Sequence, residues 1–254
     1  MADNTIIKSE NLDLFYGAHQ ALKSITMEIP EKQITALIGP SGCGKSTFMK
    51  TINRMNDLVP GVTIRGSMLY RGQDIYSSDV NVTWLRKRIG MVLQTNILFS
   101  GTIRENLLWG NPEATEEEMI QAAKDAQAYD FIMSFPDGFD TGLSQGGVNV
   151  SGGQKQRLCI ARAMLRKPAV LILDDSTSAV DSATEAAIRE SFAANLKETT
   201  VIIIAQRISS VQYADEILIL EDDHIAARGT HEELLATSPI YQEIYQSQQE
   251  GVGE

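Results

Sequence analysis

The residues best suited to chemistry lie between Ile34 and Met55, in ITALIGPSGCGKSTFMKTINRM. Gly39, Pro40, Ser41, Gly42, Cys43, Gly44, Lys45 and Ser46 satisfy the spacing G-x-x-x-x-G-K-[ST], with Thr47 next. The glycines let backbone N–H groups curl around an anion without Cβ clashes. A helix starting near Lys45 would aim its positive end at the same anion. Lys45 supplies a point charge for β- and γ-phosphates, and the Ser46 hydroxyl is a ligand for Mg²⁺. A bare glycine turn is the bland alternative, and the complete motif between an apolar strand and a helix weighs against it. The expectation is a nucleoside triphosphate site. Cys43, inside the loop near a helix start, is expected to favour its thiolate.

Several elements must position that loop. Ile6 to Phe15 alternates like a strand and ends in Tyr16-Gly17. Tyr16 is open to two readings, ordinary strand-end packing or an aromatic platform for an adenine ring. Ser24–Ile29 and Gln33–Ile38, joined by Pro30-Glu31-Lys32, are expected to form a hairpin before the loop. Thr63–Tyr70 and Ile89–Leu93 predict two further strands, the second running into Gln94. A glutamine at a strand's carboxyl end can offer its amide oxygen to Mg²⁺ or to an attacking water. From Thr102 to about Ala128 apolar residues recur at helical spacing, broken by Asn111-Pro112 and restarted by Thr115 with acidic residues behind it. Val150-Ser151-Gly152-Gly153-Gln154-Lys155-Gln156-Arg157 then opens a helix to about Arg166. Ser151 caps it, and its first residues are small enough for a phosphate to approach. This is a second anion site, and it need not serve the same nucleotide.

Composition excludes other classes. A net charge of −11 and a pI near 4.8 argue against a nucleic-acid partner. No apolar run approaches the roughly 20 residues of a membrane span, and MADNTIIKSE carries no export signal, so a cytoplasmic location is expected. Two cysteines make no disulfide framework, and three scattered histidines make no metal site. His19 and His224 read as surface residues, and His231 lies within a capping box of Thr230 and Glu233. Glu221-Asp222-Asp223 predicts a hairpin turn, Arg86-Lys87-Arg88 a solvated helix face, and YQEIYQSQQEGVGE a fraying end.

With VSGGQKQR the chain resembles the nucleotide-binding domain of ATP-binding cassette (ABC) transporters. The other motifs fall in that family's order across nearly the whole chain. The resemblance makes Tyr16 the adenine-stacking aromatic, GPSGCGKST the Walker A loop and Gln94 the Q-loop residue. It makes Ala169–Asp175 the Walker B strand, Ser178–Asp181 the D-loop, and Gln206 the switch residue. It implies an α/β P-loop NTPase (RecA-like) core, with an N-terminal antiparallel β subdomain and an inserted α-helical subdomain. The catalytic lobe would take residues 1–94 and about 160–254, and the helical lobe about 95–159. It further implies two such domains, as homo- or heterodimer, set head to tail. Each ATP would sit between one domain's Walker A and the other's Ser151, Gly152, Gly153 and Gln154. Transmembrane subunits would hold the chain at the cytoplasmic face of a membrane.

The residues support the Walker B assignment independently. Val170–Leu173 is an apolar run of the kind a buried parallel strand shows, ending in two carboxylates. Asp174 would hold Mg²⁺, with Ser46 and Gln94, and Asp175 would polarise the attacking water. In the family the second carboxylate is usually glutamate and the switch residue usually histidine. Asp175 and Gln206 therefore resemble the degenerate, slowly hydrolysing site of heterodimeric exporters, while VSGGQ is intact. Residues from about Asn11 to Met91 resemble the phosphate-importer ATPase subunit, and the chain from TNILFSGTIRENLLWGNPEAT onward resembles an exporter. The join near Arg88–Phe99 suggests an engineered chimera. The alternatives are a chimera that binds ATP without a physiological transport partner and a non-transport ABC clamp protein.

Overall fold

Alternation of apolar and polar residues over the first thirty positions produces a long hairpin. In the computed structural model, which describes residues 4–174 and 180–250, β1 (Thr5–Tyr16) pairs antiparallel with β2 (His19–Pro30). Ile7 faces Ile29 and Leu14 faces Leu22 across the ladder, all fully buried. β3 (Ile34–Ile38) runs straight into the phosphate loop and α1 (Lys45–Ile52), whose Phe48, Met49 and Ile52 fill the core. β4 (Val62–Tyr70) returns along the free side of β1, β5 (Gln73–Asp74) adds to β4, and α2 (Val82–Arg88) follows.

The chain then enters a second compact unit, residues 90–199. It holds β6 (Ile89–Val92) apart from its first residue, β7 (Gly101–Thr102), α3 (Ile103–Leu108), α4 (Glu116–Asp125), α5 (Tyr129–Met133) and β8 (Gly142–Leu143). α6 (Gly152–Leu165), β9 (Val170–Asp174) and α7 (Ser182–Asn195) complete it. α3, α4 and α6 pack together, each started by a capping box: Thr102 with Glu105, Thr115 with Glu118, Ser151 with Gln154.

From residue 200 the chain rejoins the first unit as β10 (Thr200–Ile204), β11 (Glu216–Glu221), β12 (His224–Gly229), α8 (His231–Thr237) and α9 (Pro239–Glu250). Within this unit the strands order as β12-β11-β3-β10, with β3 parallel to both β11 and β10. The units divide at residues 89/90 and 199/200, whereas the expected lobe boundaries lie near 94 and 160. α7 packs on α4 and so belongs with the helices.

Three local expectations need correction. Ser24–Ile29 and Gln33–Ile38 do not pair as a hairpin: β2 belongs to the antiparallel sheet and β3 lies between β11 and β10. β3 is apolar almost throughout and buried from Thr35 to Ile38, so it takes the centre of a covered sheet, where β2's alternation would not fit. Lys32, at φ 58°, turns the chain between sheets. Arg86 is not merely solvated, for it donates to the carbonyls of Asn53 at 3.1 Å and Arg54 at 2.7 Å, just beyond the end of α1. Of the end expected to fray, Tyr241 to Glu250 is helical, because Tyr241 is wholly buried and its hydroxyl meets His231 Nδ1 at 2.7 Å, while residues 251–254 lie outside the described residues. Asp222 and Asp223 do form the hairpin turn, at φ 46° and 63°, and Thr230 with Glu233 does form a capping box.

Candidate nucleotide site

In the first unit the phosphate loop leaves the carboxyl end of β3, and Gln206 lies two residues past the end of β10. Leu37 is level with Ile204 in that parallel pair, so both loops emerge side by side at one sheet edge. Ligands bind at such edges in open α/β sheets. Two glycines are fixed by contact as well as by conformation. A Cβ on Gly39, at φ 149°, would stand 2.0 Å from the carbonyl oxygen of Leu220. One on Gly44, at φ 90°, would stand 2.8 Å from both Ala21 O and Leu22 Cδ2. Gly44 caps α1 without a side-chain acceptor, so the first-turn N–H groups are left to the loop's concavity.

Lys45, 8% exposed, folds its ammonium back onto Gly39 O at 2.7 Å and Pro40 O at 2.6 Å, with Cys43 Sγ at 3.5 Å. The charge is thereby held within the loop. Pro40, Ser41 and Gly42 are exposed, Ser46 and Thr47 half-buried, and Cys43 is 7% exposed, which limits access of reagents to its thiol. Tyr16, half-buried at the end of β1, is brought to the same place: its hydroxyl lies 3.3 Å from Asn56 Oδ1 and 3.5 Å from Thr47 Oγ1. Asn56, buried, donates to Thr47 O at 2.9 Å and Thr51 Oγ1 at 2.8 Å. Asn56 therefore ties Tyr16 to α1, a role the sequence reading missed. Only its position ten residues past the loop's hydroxyl hinted at it.

The second unit carries the other predicted residues. β6 and β9 are hydrogen-bonded neighbours. Gln94 is exposed two residues past β6, while Asp174 ends β9 at 6% exposure. Asp175 and Ser178 lie outside the described residues. Asp181 caps α7, accepting from Thr184 N at 3.0 Å and from Thr184 Oγ1 at 2.7 Å. These bonds, the backbone one first, hold its carboxyl below the usual carboxylate range. Ser151 and Gly152 are exposed at the start of α6. Ser151 Oγ accepts from Gln154 N at 3.2 Å, and Gln154 Oε1 from Ser151 N at 2.9 Å. The cap uses the serine oxygen as acceptor and leaves its proton to donate outward. Arg157, unremarked in the sequence, steadies this turn through Gly153 O at 3.3 Å, Gln127 O at 2.7 Å and the face of Phe131 at 4.6 Å.

The donor sets fit their expected ligands. Lys45, helix N–H groups and hydroxyls are donors for a polyanion; taken singly, Ser46 in the first unit and Gln94 and Asp174 in the second each carry a hard oxygen of the kind Mg²⁺ prefers. Among the described residues no group of three or more His, Cys, Asp or Glu is placed to hold a metal ion.

Residues 22–178 match the ABC transporter family model. The chain belongs to the ABC transporter family. It is 43% identical over 244 residues to a multidrug export ATP-binding/permease protein of Staphylococcus aureus strain NCTC 8325, covering 95% of this chain and 41% of that protein. The counterpart in the bovine strain RF122 is 42% identical over 249 residues, covering 95% and 42%. A solved structure of a bacterial Atm1-family ABC exporter with ATP bound superposes at a TM-score of 0.90 and 34% identity, over 98% of this chain and 42% of that one. The chain thus spans about two fifths of the length of these relatives. Its fold is the ABC α/β P-loop fold, with an antiparallel β subdomain and a helical insert. No helix among the described residues is long and apolar enough to cross a membrane.

Proposed function

We propose that this chain is the ATP-binding and ATP-hydrolysing domain of an ABC exporter, working as half of a head-to-tail pair around two ATP molecules. The carrying observation is Lys45 held inside a glycine loop that leaves β3 level with the end of β10, while the Tyr16 hydroxyl lies against Thr47 of the helix that follows the loop. Lys45 and the loop N–H groups stabilise charge on the γ-phosphate, and Tyr16 receives the adenine. Ser46, Gln94 and Asp174 would hold the Mg²⁺ that accompanies ATP and neutralises charge developing on its phosphates. Asp175 polarises the attacking water, and Gln206 donates a hydrogen bond to the γ-phosphate. Ser151, Gly152, Gly153 and Gln154 present their turn to the partner's ATP, and Ser178 and Asp181 belong to the D-loop. ATP at that interface stabilises only the closed pair, which makes closure the force-generating step.

Hydrolysis is slow on this reading. Asp175 is one methylene shorter than the glutamate usual in the family, and Gln206 cannot carry a proton. A displacement of ~1 Å from the attacking water can cost ~10²-fold in rate. Single-turnover phosphate release, at concentrations where ATP pairs the chains, tests this. Asp175→Glu should raise the rate by roughly ten-fold or more, and added Gln206→His should raise it further with ATP affinity unchanged. A double variant that pairs with ATP yet hydrolyses no faster overturns the assignment.

The membrane-spanning partner would dock on the second unit. Ile97, Phe99 and Trp109 are 54%, 43% and 66% exposed, the two rings stack at 4.9 Å, and they border a cavity of about 280 Å³. That surface begins three residues after Gln94, which suits a relay between partner and nucleotide. The chain would then lie at the cytoplasmic face of a membrane. Similarity to exporters over 95% of the chain favours export throughout. The importer-like stretch from Asn11 to Met91 favours a second reading, a chimera with phosphate-importer ancestry. Assembly with an importer's membrane subunits and not an exporter's would select it.

A further inference from the structure

The switch position in this chain is held from behind by the C-terminal helix. Gln248, in the last turn of α9, points its carboxamide at the backbone around Gln206. Its Nε2 donates to the carbonyl of Gln206 at 2.7 Å, and its Oε1 accepts from the N–H of Ile208 at 2.8 Å. A single side chain thus fixes both sides of Arg207, where the chain turns out of β10 into the turn Ile208–Ser210. The two bonds run in opposite senses, so the amide fits in one orientation only, and no other neutral side chain of this length supplies both donor and acceptor.

α9 is itself firmly seated. Tyr241 is wholly buried, its hydroxyl meets His231 Nδ1 at 2.7 Å, and Gln242 donates to Leu235 O at 2.6 Å. Ile208 on the other side of the clamp is 2% exposed and anchors the turn in the core. Gln206, by contrast, is exposed, as a residue reaching for a phosphate at the sheet edge must be. An exposed side chain is only as well aimed as its backbone.

We propose that Gln248 is a positioning residue for ATP hydrolysis: it sets the backbone of Gln206 so that the glutamine meets the γ-phosphate, and through it the C-terminal helix sets the rate of hydrolysis. This rests on the reading of Gln206 given above. In this role Gln248 acts only through the switch backbone, by its bonds to Gln206 O and Ile208 N.

Two variants of Gln248, a Gln206→Ala background and two readouts test it in the whole chain. In Gln248→Ala, amide hydrogen exchange at Ile208 should quicken by roughly ten-fold or more while the amides of β10 are unchanged. Its kcat should fall ~5-fold with KM for ATP within two-fold, because only orientation at the reacting centre is lost. Gln248→Glu, which keeps the acceptor and sets a carboxylate against the Gln206 carbonyl, should lower kcat at least as much. In a Gln206→Ala background Gln248→Ala should cost less than two-fold, since the residue it aims is gone. Unchanged exchange at Ile208 in both variants overturns the clamp. Equal losses in both backgrounds, or a KM rising in step with a falling kcat, overturn positioning through Gln206. Unchanged turnover in Gln206→Ala alone overturns the reading of Gln206 and with it this proposal, and the exchange data then report on the clamp separately.

Discussion

Lys45 and Gly39 are joined by a 2.7 Å hydrogen bond from the ammonium to the backbone carbonyl, six residues back in the same loop. A buried cation is costly unless its donors are met, and here the loop that offers N–H groups to a phosphate also offers carbonyls to the lysine. Binding a triphosphate there, as proposed, would exchange a neutral acceptor for a charged one and so give a shorter and stronger bond.

Replacing Lys45 should therefore have two separable effects. Lys45→Ala should weaken ATP binding by roughly 10²-fold or more, read by calorimetry, because charge-assisted bonds to the phosphates disappear. It should also lower the unfolding free energy by about 1–3 kcal/mol, read by denaturant titration, because the bonds to Gly39 and Pro40 go too. Unchanged ATP affinity would overturn the site.

Tyr16 separates base recognition from phosphate recognition. Tyr16→Ala should weaken ATP about ten-fold, the usual scale of a lost stacking contact, and leave affinity for inorganic tripolyphosphate unchanged. Tyr16→Phe keeps the ring and loses only the contacts with Asn56 and Thr47, so its ATP affinity should stay within ~3-fold. Equal weakening of ATP and tripolyphosphate would mean that Tyr16 serves packing alone.

A pH dependence follows from Tyr241. Burial, aided by neighbouring Tyr245, pushes its hydroxyl up to about 12, against about 10 in an unfolded chain. The folded state thus favours the neutral phenol. That contribution to stability is fully present below pH ~10 and is lost as pH rises through about 12. Tyr241→Phe has nothing to ionise there, so the stability advantage of the parent over this variant should shrink between pH 10 and 12. An advantage constant across that interval would show the hydroxyl to be free to ionise.

Much of the site was legible because it is written in local spacing. The Walker loop, the Ser151 cap, the Thr230–Glu233 box and the strand ending at Asp174 each depend on residues a few positions apart. What spacing does not carry is the choice of neighbour. β2 and β3 are consecutive strands with a good turn between them, yet β3 pairs with strands that arrive about 167 and 181 residues later. Tyr16 kept two readings in sequence, and its meeting with Asn56 across 40 residues is a tertiary fact. Gln248 and Gln206, 42 residues apart, could not be associated by any periodicity.

The capping box at Ser151 bears on how the proposed pair would assemble. Its two reciprocal bonds complete the start of α6 from within one chain, so that turn is formed without a neighbour. Association as proposed would then carry no entropy charge for ordering that surface. Its rate would be second order in protein and set by collision and orientation rather than by coupled folding.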